Sequence, residues 1–314
     1  MTPSTLERVL ITGATGFLGS WIVSALANRG IPVLATDISE DYHRLDALCP
    51  NPPEGMVERR ICDITDPEAL DLLIGQMRPT GIIHLAALQI PVCRERPAAG
   101  AAVNIGGHIN IFEAARAHRI RRIIYTSSIA AKPRGSANAP SNLYGVFKKT
   151  DEEISRIYWQ DHQLPSLGLR PYIVYGVGRD EGETSAITRA IEAAALGKKY
   201  EIPFDTRSCF QYVGDIAEIF VRAVRSDWRG ALLSDISDRV QSTDDVLAAI
   251  RTVVPEAEVT VADTARVSPE DGFDTSPLRQ VIGDLQETPL VEGVLKTVEL
   301  YRAIDARRRQ AQSA

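Results

Sequence analysis

The chain of 314 residues carries a net charge of −6, is 44% apolar, and holds four cysteines with no Cys-x-x-Cys spacing. That length allows one large domain or two modest ones with a sizeable core. The acidic balance argues against nucleic acid as a partner. The cysteine pattern points to reduced thiols in a cytoplasmic protein.

Val9-Leu10-Ile11 is a short apolar, β-branched run, as a buried parallel strand requires. The chain then reads Thr12-Gly13-Ala14-Thr15-Gly16-Phe17-Leu18-Gly19. From Phe17 the apolar residues Phe17, Leu18, Trp21, Ile22, Ala25 and Leu26 recur at helical spacing. The glycines therefore sit on a strand-to-helix turn, the setting of a dinucleotide fingerprint. Gly13 permits the tight turn, Gly16 a close approach of the backbone to a pyrophosphate, and Gly19 the packing of helix on strand. Phe17 and Leu18 open the helix whose free N–H groups would face the phosphates.

The next strand, from Pro32 to Thr36, ends at Asp37. An acid at this distance from the glycines bonds a ribose 2′-hydroxyl and repels a 2′-phosphate. No Arg or Lys follows until Arg44, so the cofactor expected is NAD. A turn or cap role for Asp37 is the other reading. Cys62-Asp63-Ile64 closes a third strand-like run. Asp63, with Ile64 beside it, is either placed against the adenine or a plain turn residue.

Strands are predicted over 8–12, 32–36, 57–62, 81–85, 122–127 and 167–173, with helices over 17–29, 66–77, 98–118 and 141–161. This alternation gives an α/β fold: a doubly wound parallel sheet with helices on both faces and its ligand at the carboxyl ends of the strands. After Gly176 the segments become shorter and less regular, with helices near 184–196 and from Asp215 to Val224. Thr288 as N-cap and Pro289 at the first position start the last helix. The expected division is a nucleotide-binding domain over 1–175, to which 210–240 returns, and a smaller α/β substrate-binding part over 176–209 and 241–314. No window of about 18 apolar residues exists to span a membrane, and no signal peptide is visible.

Tyr144 and Lys148 are i and i+4 on one helical face. A free phenol, with a pKa of about 10, is a poor base at neutral pH. A nearby ammonium and a cationic nicotinamide ring favour the phenolate. Tyr144 can then pass a proton to or from a hydroxyl while hydride moves, and Lys148 can also hold the nicotinamide ribose. Ser127 and Ser128 follow a strand ending at Thr126, so one of them can bond the reacting oxygen.

With these residues in hand, the chain resembles the extended short-chain dehydrogenase/reductases, the NAD-dependent epimerase/dehydratase group, over nearly its whole length. The resemblance rests on the glycine pattern, Asp37, Asp63, His84-Leu85-Ala86-Ala87, Asn104, Thr126-Ser127-Ser128, Tyr144-x3-Lys148, Leu169-Arg170-Pro171 with Val174-Tyr175-Gly176, and Tyr212-Val213-x-Asp215. It implies a Rossmann domain binding NAD, with Ser128, Tyr144 and Lys148 as the catalytic set. It implies that Leu85, Ala86, Ala87 and Thr126 line the cofactor channel and that Asn104 is a structural or cofactor-side residue. Backbone from Pro171 through Ile173 to Val174 would pass the nicotinamide.

The departures inform as well. Dehydratases of the group carry an Asp-Glu pair right after the catalytic serine position, where this chain has Ile129-Ala130. Nucleotide-sugar epimerases show Tyr-Phe-Asn after the Leu-Arg, where this chain has Pro171-Tyr172-Ile173. Their Arg-Asp-Tyr run is replaced by Ser208-Cys209-Phe210.

The resulting expectation is an NAD-dependent oxidoreductase acting on a small polyhydroxylated substrate, a sugar or sugar acid. An NAD-dependent epimerase and a non-catalytic NAD-binding regulator are the alternatives. Lys132, Arg134, Arg170, Arg179 and Arg207 are the basic candidates for an acidic substrate group, Arg207 foremost. His84 is expected to pack at a strand end, and no metal-ligand set is expected. Apolar residues beyond one face of 98–118 and 141–161 predict a homodimer.

Overall fold

The computed structural model describes residues 7–133, 140–268 and 271–313, the side chains of 311–313 excepted. The chain divides into two compact units. The first takes the chain up to Pro171 together with Ile216–Ile236 and Asp274–Leu285. The second takes Tyr172–Asp215, Ser237–Phe273 and the chain from Gln286. The return of 274–285 to the first unit carries no sequence signal.

In the first unit β1 (Val9–Thr12) leads through α1 (Phe17–Ala27) to β2 (Val33–Asp37), then the short α2 (His43–Leu48) and β3 (Val57–Ile61). There follow α3 (Pro67–Met77), β4 (Gly81–His84), α4 (Ile90–Glu95) and α5 (Pro97–Ala101). The chain then makes a π-turn over Ala102–Gly106 and enters α6 (Gly107–Ala117). β5 (Ile123–Thr126), α7 (Leu143–His162) and β6 (Ser166–Arg170) complete this stretch. The helix expected over 98–118 is thus interrupted by one widened turn, a feature that often marks functional positions.

The second unit holds β7 (Ile173–Tyr175), α8 (Ala186–Ala195), β8 (Tyr200–Ile202), β9 (Arg207–Ser208) and β10 (Phe210–Tyr212). α9 (Val213–Val224) carries the chain back to the first unit and β11 (Ala231–Asp235). β12 (Gln241–Ser242), α10 (Thr243–Val253) and β13 (Val259–Val261) belong to the second unit, α11 (Ser276–Ile282) to the first, and α12 (Leu290–Ser313) to the second.

The first unit is built on a seven-stranded sheet in the order β11-β6-β5-β4-β1-β2-β3, every pairing parallel. The strand order reverses between β1 and β4, which opens a crevice at their carboxyl ends. β1, β4 and β5 are buried along their whole length, as strands covered by helices on both faces must be. Leu10, Leu34, Ile82 and Ile123 of the sheet pack with Leu70, Ile74, Ile111 and Phe112 of α3 and α6.

The strand expected over 167–173 is two strands. β6 ends at Arg170 because Pro171 has no N–H to continue a ladder, and Ile173 starts β7, which pairs with β10 in the second unit. The core of that unit joins Ile187 and Ile191 of α8, Val246 and Ile250 of α10, and Val294 and Val298 of α12. The last helix begins at Leu290 rather than at Pro289, and Thr288 before it is held by Asp215. The Thr288 hydroxyl donates to Asp215 Oδ1 at 2.6 Å and its N–H to Oδ2 at 2.7 Å.

Candidate active site

The glycine turn lies at the crevice. Gly13 has φ +72°, and an added Cβ would stand 2.7 Å from the Ala86 nitrogen. A Cβ on Gly19 would stand 2.2 Å from the Gly13 carbonyl oxygen. Gly16 is the N-cap of α1 and supplies no capping side chain. Phe17 and Leu18 open α1, half-buried, and a helix N-terminus set on a glycine turn suits an anion such as a dinucleotide pyrophosphate.

The segment after β4 is tied to β1. Leu85 N–H donates to the Thr12 carbonyl at 3.2 Å, and Ala86 N–H to Thr12 Oγ1 at 3.4 Å. Asn104, in the π-turn and 1% exposed, accepts from Leu88 N–H at 2.7 Å and donates to the Leu88 carbonyl at 3.0 Å. Asn104 therefore fixes Leu88, just past the Leu85-Ala86-Ala87 segment. His84 pairs through Nδ1 with Thr12 Oγ1 at 2.8 Å in the interior, a packing role at a strand end.

Asp37 closes β2 beside the glycines. Its Oδ2 accepts from the Thr15 N–H and hydroxyl at 3.0 and 2.7 Å, and its Oδ1 from Ile38 N–H at 2.8 Å. Arg44 folds back to the Thr15 carbonyl at 3.4 Å, a nearness that sequence distance conceals. Asp63 closes a turn by accepting from Thr65 N–H and Oγ1, both at 2.8 Å. Ile64 is 5% exposed and fills the space above Gly107. Thr126 ends β5, 8% exposed.

Tyr144 and Lys148 occupy the first turns of α7, capped by Asn142, whose Oδ1 accepts from Gly145 N–H at 2.9 Å. The Lys148 ammonium lies 6.0 Å from the Tyr144 ring centre. Ser128 follows β5 and heads the short turn Ile129–Ala131, accepting from Ala130 N–H at 3.1 Å. Gly145 lies against the Ala130 carbonyl, which brings the start of α7 onto the Ser128 turn.

Several expected substrate contacts are corrected. Ser127 is 2% exposed and donates inward to Glu152 Oε1 at 2.6 Å, leaving Ser128 as the outward member of the pair. Arg170 binds Glu152 with two hydrogen bonds of 2.7 Å. Lys132 binds the buried Asp235 carboxylate at 2.6 Å. Both cations are thus paired with buried carboxylates. Arg134 lies outside the described residues. Arg179 bonds Thr184 at 3.2 Å in the second unit, where Arg207 is exposed on β9. Pro171 ends the first unit, its carbonyl accepting from Ile129 N–H at 3.2 Å, whereas Ile173 is 2% exposed in the second unit's core.

Sequence reasoning missed Glu152 and Asp151. Both are 0–1% exposed. The available signal was their spacing of four and three from Lys148, which puts carboxylates on the sheet-facing side of a helix. Asp151 Oδ2 accepts from Lys148 Nζ at 3.2 Å.

A parallel sheet with a glycine turn at its switch point, and a Tyr-Lys pair one helical turn apart, define a dinucleotide-dependent enzyme. The chain belongs to the NAD dependent epimerase/dehydratase family, whose pattern it matches over residues 9–231. It is an NAD-dependent enzyme of the extended short-chain dehydrogenase/reductase class. It is 29% identical to a UDP-glucose 4-epimerase of Mycolicibacterium smegmatis, covering 94% of this chain and 98% of that one. The NAD complex of Thermus thermophilus UDP-glucose 4-epimerase has a TM-score of 0.76 and 25% identity, covering 94% of this chain and 99% of the other. An L-threonine dehydrogenase of Clostridium difficile shares the fold, with a TM-score of 0.78 at 21% identity, over 95% of this chain and 98% of that one. Among the described residues no helix is long and apolar enough to cross a membrane.

Proposed function

We propose that the protein is an NAD-dependent dehydrogenase of a small polyhydroxylated substrate, a free sugar or sugar acid, with Tyr144 as its acid/base. The observation that carries this reading is the burial of Ile173, Cys209 and Phe210, 2%, 0% and 7% exposed. At these positions nucleotide-sugar enzymes of the group present polar groups. Here the second unit's core takes up Ile173 and Phe210, and Cys209 is buried beside them in the chain.

NAD, held by Gly13, Gly16, Gly19 and Asp37, supplies the hydride acceptor when bound. Tyr144 accepts the proton of the substrate hydroxyl as its carbon becomes a carbonyl. Ser128 donates a hydrogen bond to that oxygen. Lys148, charged and in the interior, stands beside the ring of Tyr144. Ile129 and Ala130 are buried and apolar, so no carboxylate follows Ser128 to expel water.

Arg207 is the basic residue proposed to meet an acidic group on the substrate. Arg207→Ala should then raise KM with kcat preserved. We also propose a homodimer through α6 and α7. Ile109, Val146 and Ile157 are 37%, 38% and 51% exposed, whereas Ile111, Phe112 and Phe147 of the same helices are buried. A second apolar face asks for a partner, and light scattering giving a monomer mass would contradict it. The buried free cysteines Cys49, Cys62, Cys93 and Cys209 suit a reducing cytoplasm.

Epimerisation by oxidation and re-reduction of one carbinol is the second reading, favoured by the full-length likeness to UDP-glucose 4-epimerases. A screen of NAD reduction with neutral sugars, sugar acids and nucleotide-sugars decides. NADH formed with free sugars or sugar acids supports the dehydrogenase. Turnover confined to nucleotide-sugars, without net NADH, establishes the epimerase.

A further inference from the structure

The Lys148 ammonium has a private counter-ion. Lys148 is 2% and Asp151 0% exposed. Asp151 Oδ2 lies 3.2 Å from Nζ, while Oδ1 has no hydrogen-bond partner. A buried carboxylate with an unsatisfied oxygen is costly. No fold requirement is apparent, since α7 already carries Glu152 to hold Ser127 and Arg170.

The other groups facing this ammonium cannot take the carboxylate's place. From α7 itself comes the Tyr144 phenol, from α4 the Cys93 thiol, from β4 His84 and from α6 His108. Both imidazoles are buried, which holds them neutral, and Lys148 disfavours their charging further. Among the described groups facing the ammonium, only Asp151 thus offers a negative charge at neutral pH while Tyr144 is protonated.

We propose that Asp151 is a positioning residue for the Tyr144–Lys148 pair: its carboxylate holds the buried Lys148 amine charged and aligned beside Tyr144. The inference rests on the reading of Tyr144 as acid/base. Burial by itself disfavours an ammonium. The Asp151 carboxylate, by charge and hydrogen bond, opposes that most strongly and, with Tyr144 and Cys93 adding, leaves the Lys148 pKa above its ordinary value. Burial pushes Asp151 itself up to about 6, with Lys148 opposing and Glu152 adding.

The test follows Lys148 protonation by NMR in the intact protein labelled with 13Cε-lysine, with Lys148→Met identifying the resonance. In Asp151→Asn, which keeps the shape and an acceptor, the Lys148 midpoint should fall by at least about two pH units, a hundredfold loss in proton affinity. A midpoint within about half a unit of wild type overturns the proposal. If the variant does not fold, the wild type still answers. Its Lys148 resonance must report an ammonium up to and beyond the ordinary lysine pKa of about 10.4, and a midpoint below that value also overturns it.

Turnover supplies a second readout. The Asp151→Asn optimum should shift to lower pH, where Lys148 regains its proton. Equal loss at every pH would show a structural role and sink the idea. Full turnover in Tyr144→Phe would refute the acid/base reading instead, while leaving the Lys148 titration intact.

Discussion

Gly145 of α7 lies against the carbonyl of Ala130, and an added Cβ would stand 2.1 Å from that oxygen. The contact sets how closely the Tyr144 turn approaches the Ser128 turn, with Ser141 Oγ donating to the same carbonyl at 3.1 Å. Gly145→Ala must push the two apart. A displacement of about 1 Å can reduce turnover by roughly a hundredfold. Both elements have other anchors, so the fold should persist. Circular dichroism and steady-state kinetics check this, and unchanged kcat would refute the alignment role.

Tyr144→Phe keeps the ring and removes the proton carrier. Turnover should fall by roughly 10²–10⁴-fold, the usual share of general acid–base catalysis. NAD affinity, read by titration calorimetry, should stay nearly unchanged. Near-normal turnover would assign the proton transfer elsewhere.

Asp37→Ala should weaken NAD and strengthen NADP. The carboxylate that repels a 2′-phosphate is lost, while Arg44, already at the Thr15 carbonyl, gains an anion to pair with. A lost hydrogen bond to a charged group is worth roughly 1.5–3 kcal/mol. Titration of wild type and variant with both cofactors measures it. Equal affinities in the wild type would contradict the discrimination.

Glu152 satisfies Ser127 and Arg170 at once. Glu152→Ala leaves a mostly buried guanidinium without its main partner, which should destabilise the protein by up to about 3 kcal/mol. The exposed Arg207→Ala should alter stability by no more than about 0.5 kcal/mol. Thermal unfolding of the two variants provides the comparison. A small effect for Glu152→Ala would mean that Asp235, 3.9 Å from Arg170, suffices.

Burial lowers His84 to about 3 and His108 well below its ordinary value, with charge from Lys148 adding in each case. Below pH of about 6.5 the unfolded chain takes up protons that these folded histidines refuse, so stability falls as pH falls, by up to ~1.4 kcal/mol per unit for each. Asp151 acts oppositely. Raised to about 6 by burial, it binds a proton in the folded state first, and its contribution grows as pH falls from about 6 to 4. Two protons against one leave a net loss of about 1.4 kcal/mol per unit over that window. His84→Asn should flatten it. Urea unfolding at steps of pH tests this, and an unaltered slope would show that His84 titrates normally.

The glycine turn, Asp37, the Tyr144–Lys148 pair and the parallel alternation of the first unit were legible in the sequence. Each is local: a strand, a turn and a helix fix one another within a few tens of residues, and periodicity reports them. The break at Pro171 was legible in principle, since a proline cannot donate to a ladder. The fates of Ser127, Lys132 and Arg170 were not. Each resembled a free polar group until folding brought Glu152 or Asp235 against it from distant positions. A charge in sequence carries no record of its counter-ion. Burial makes pairing obligatory, and the tertiary fold alone chose the partners, giving Lys132 the Asp235 carboxylate, Arg170 that of Glu152 and Lys148 that of Asp151.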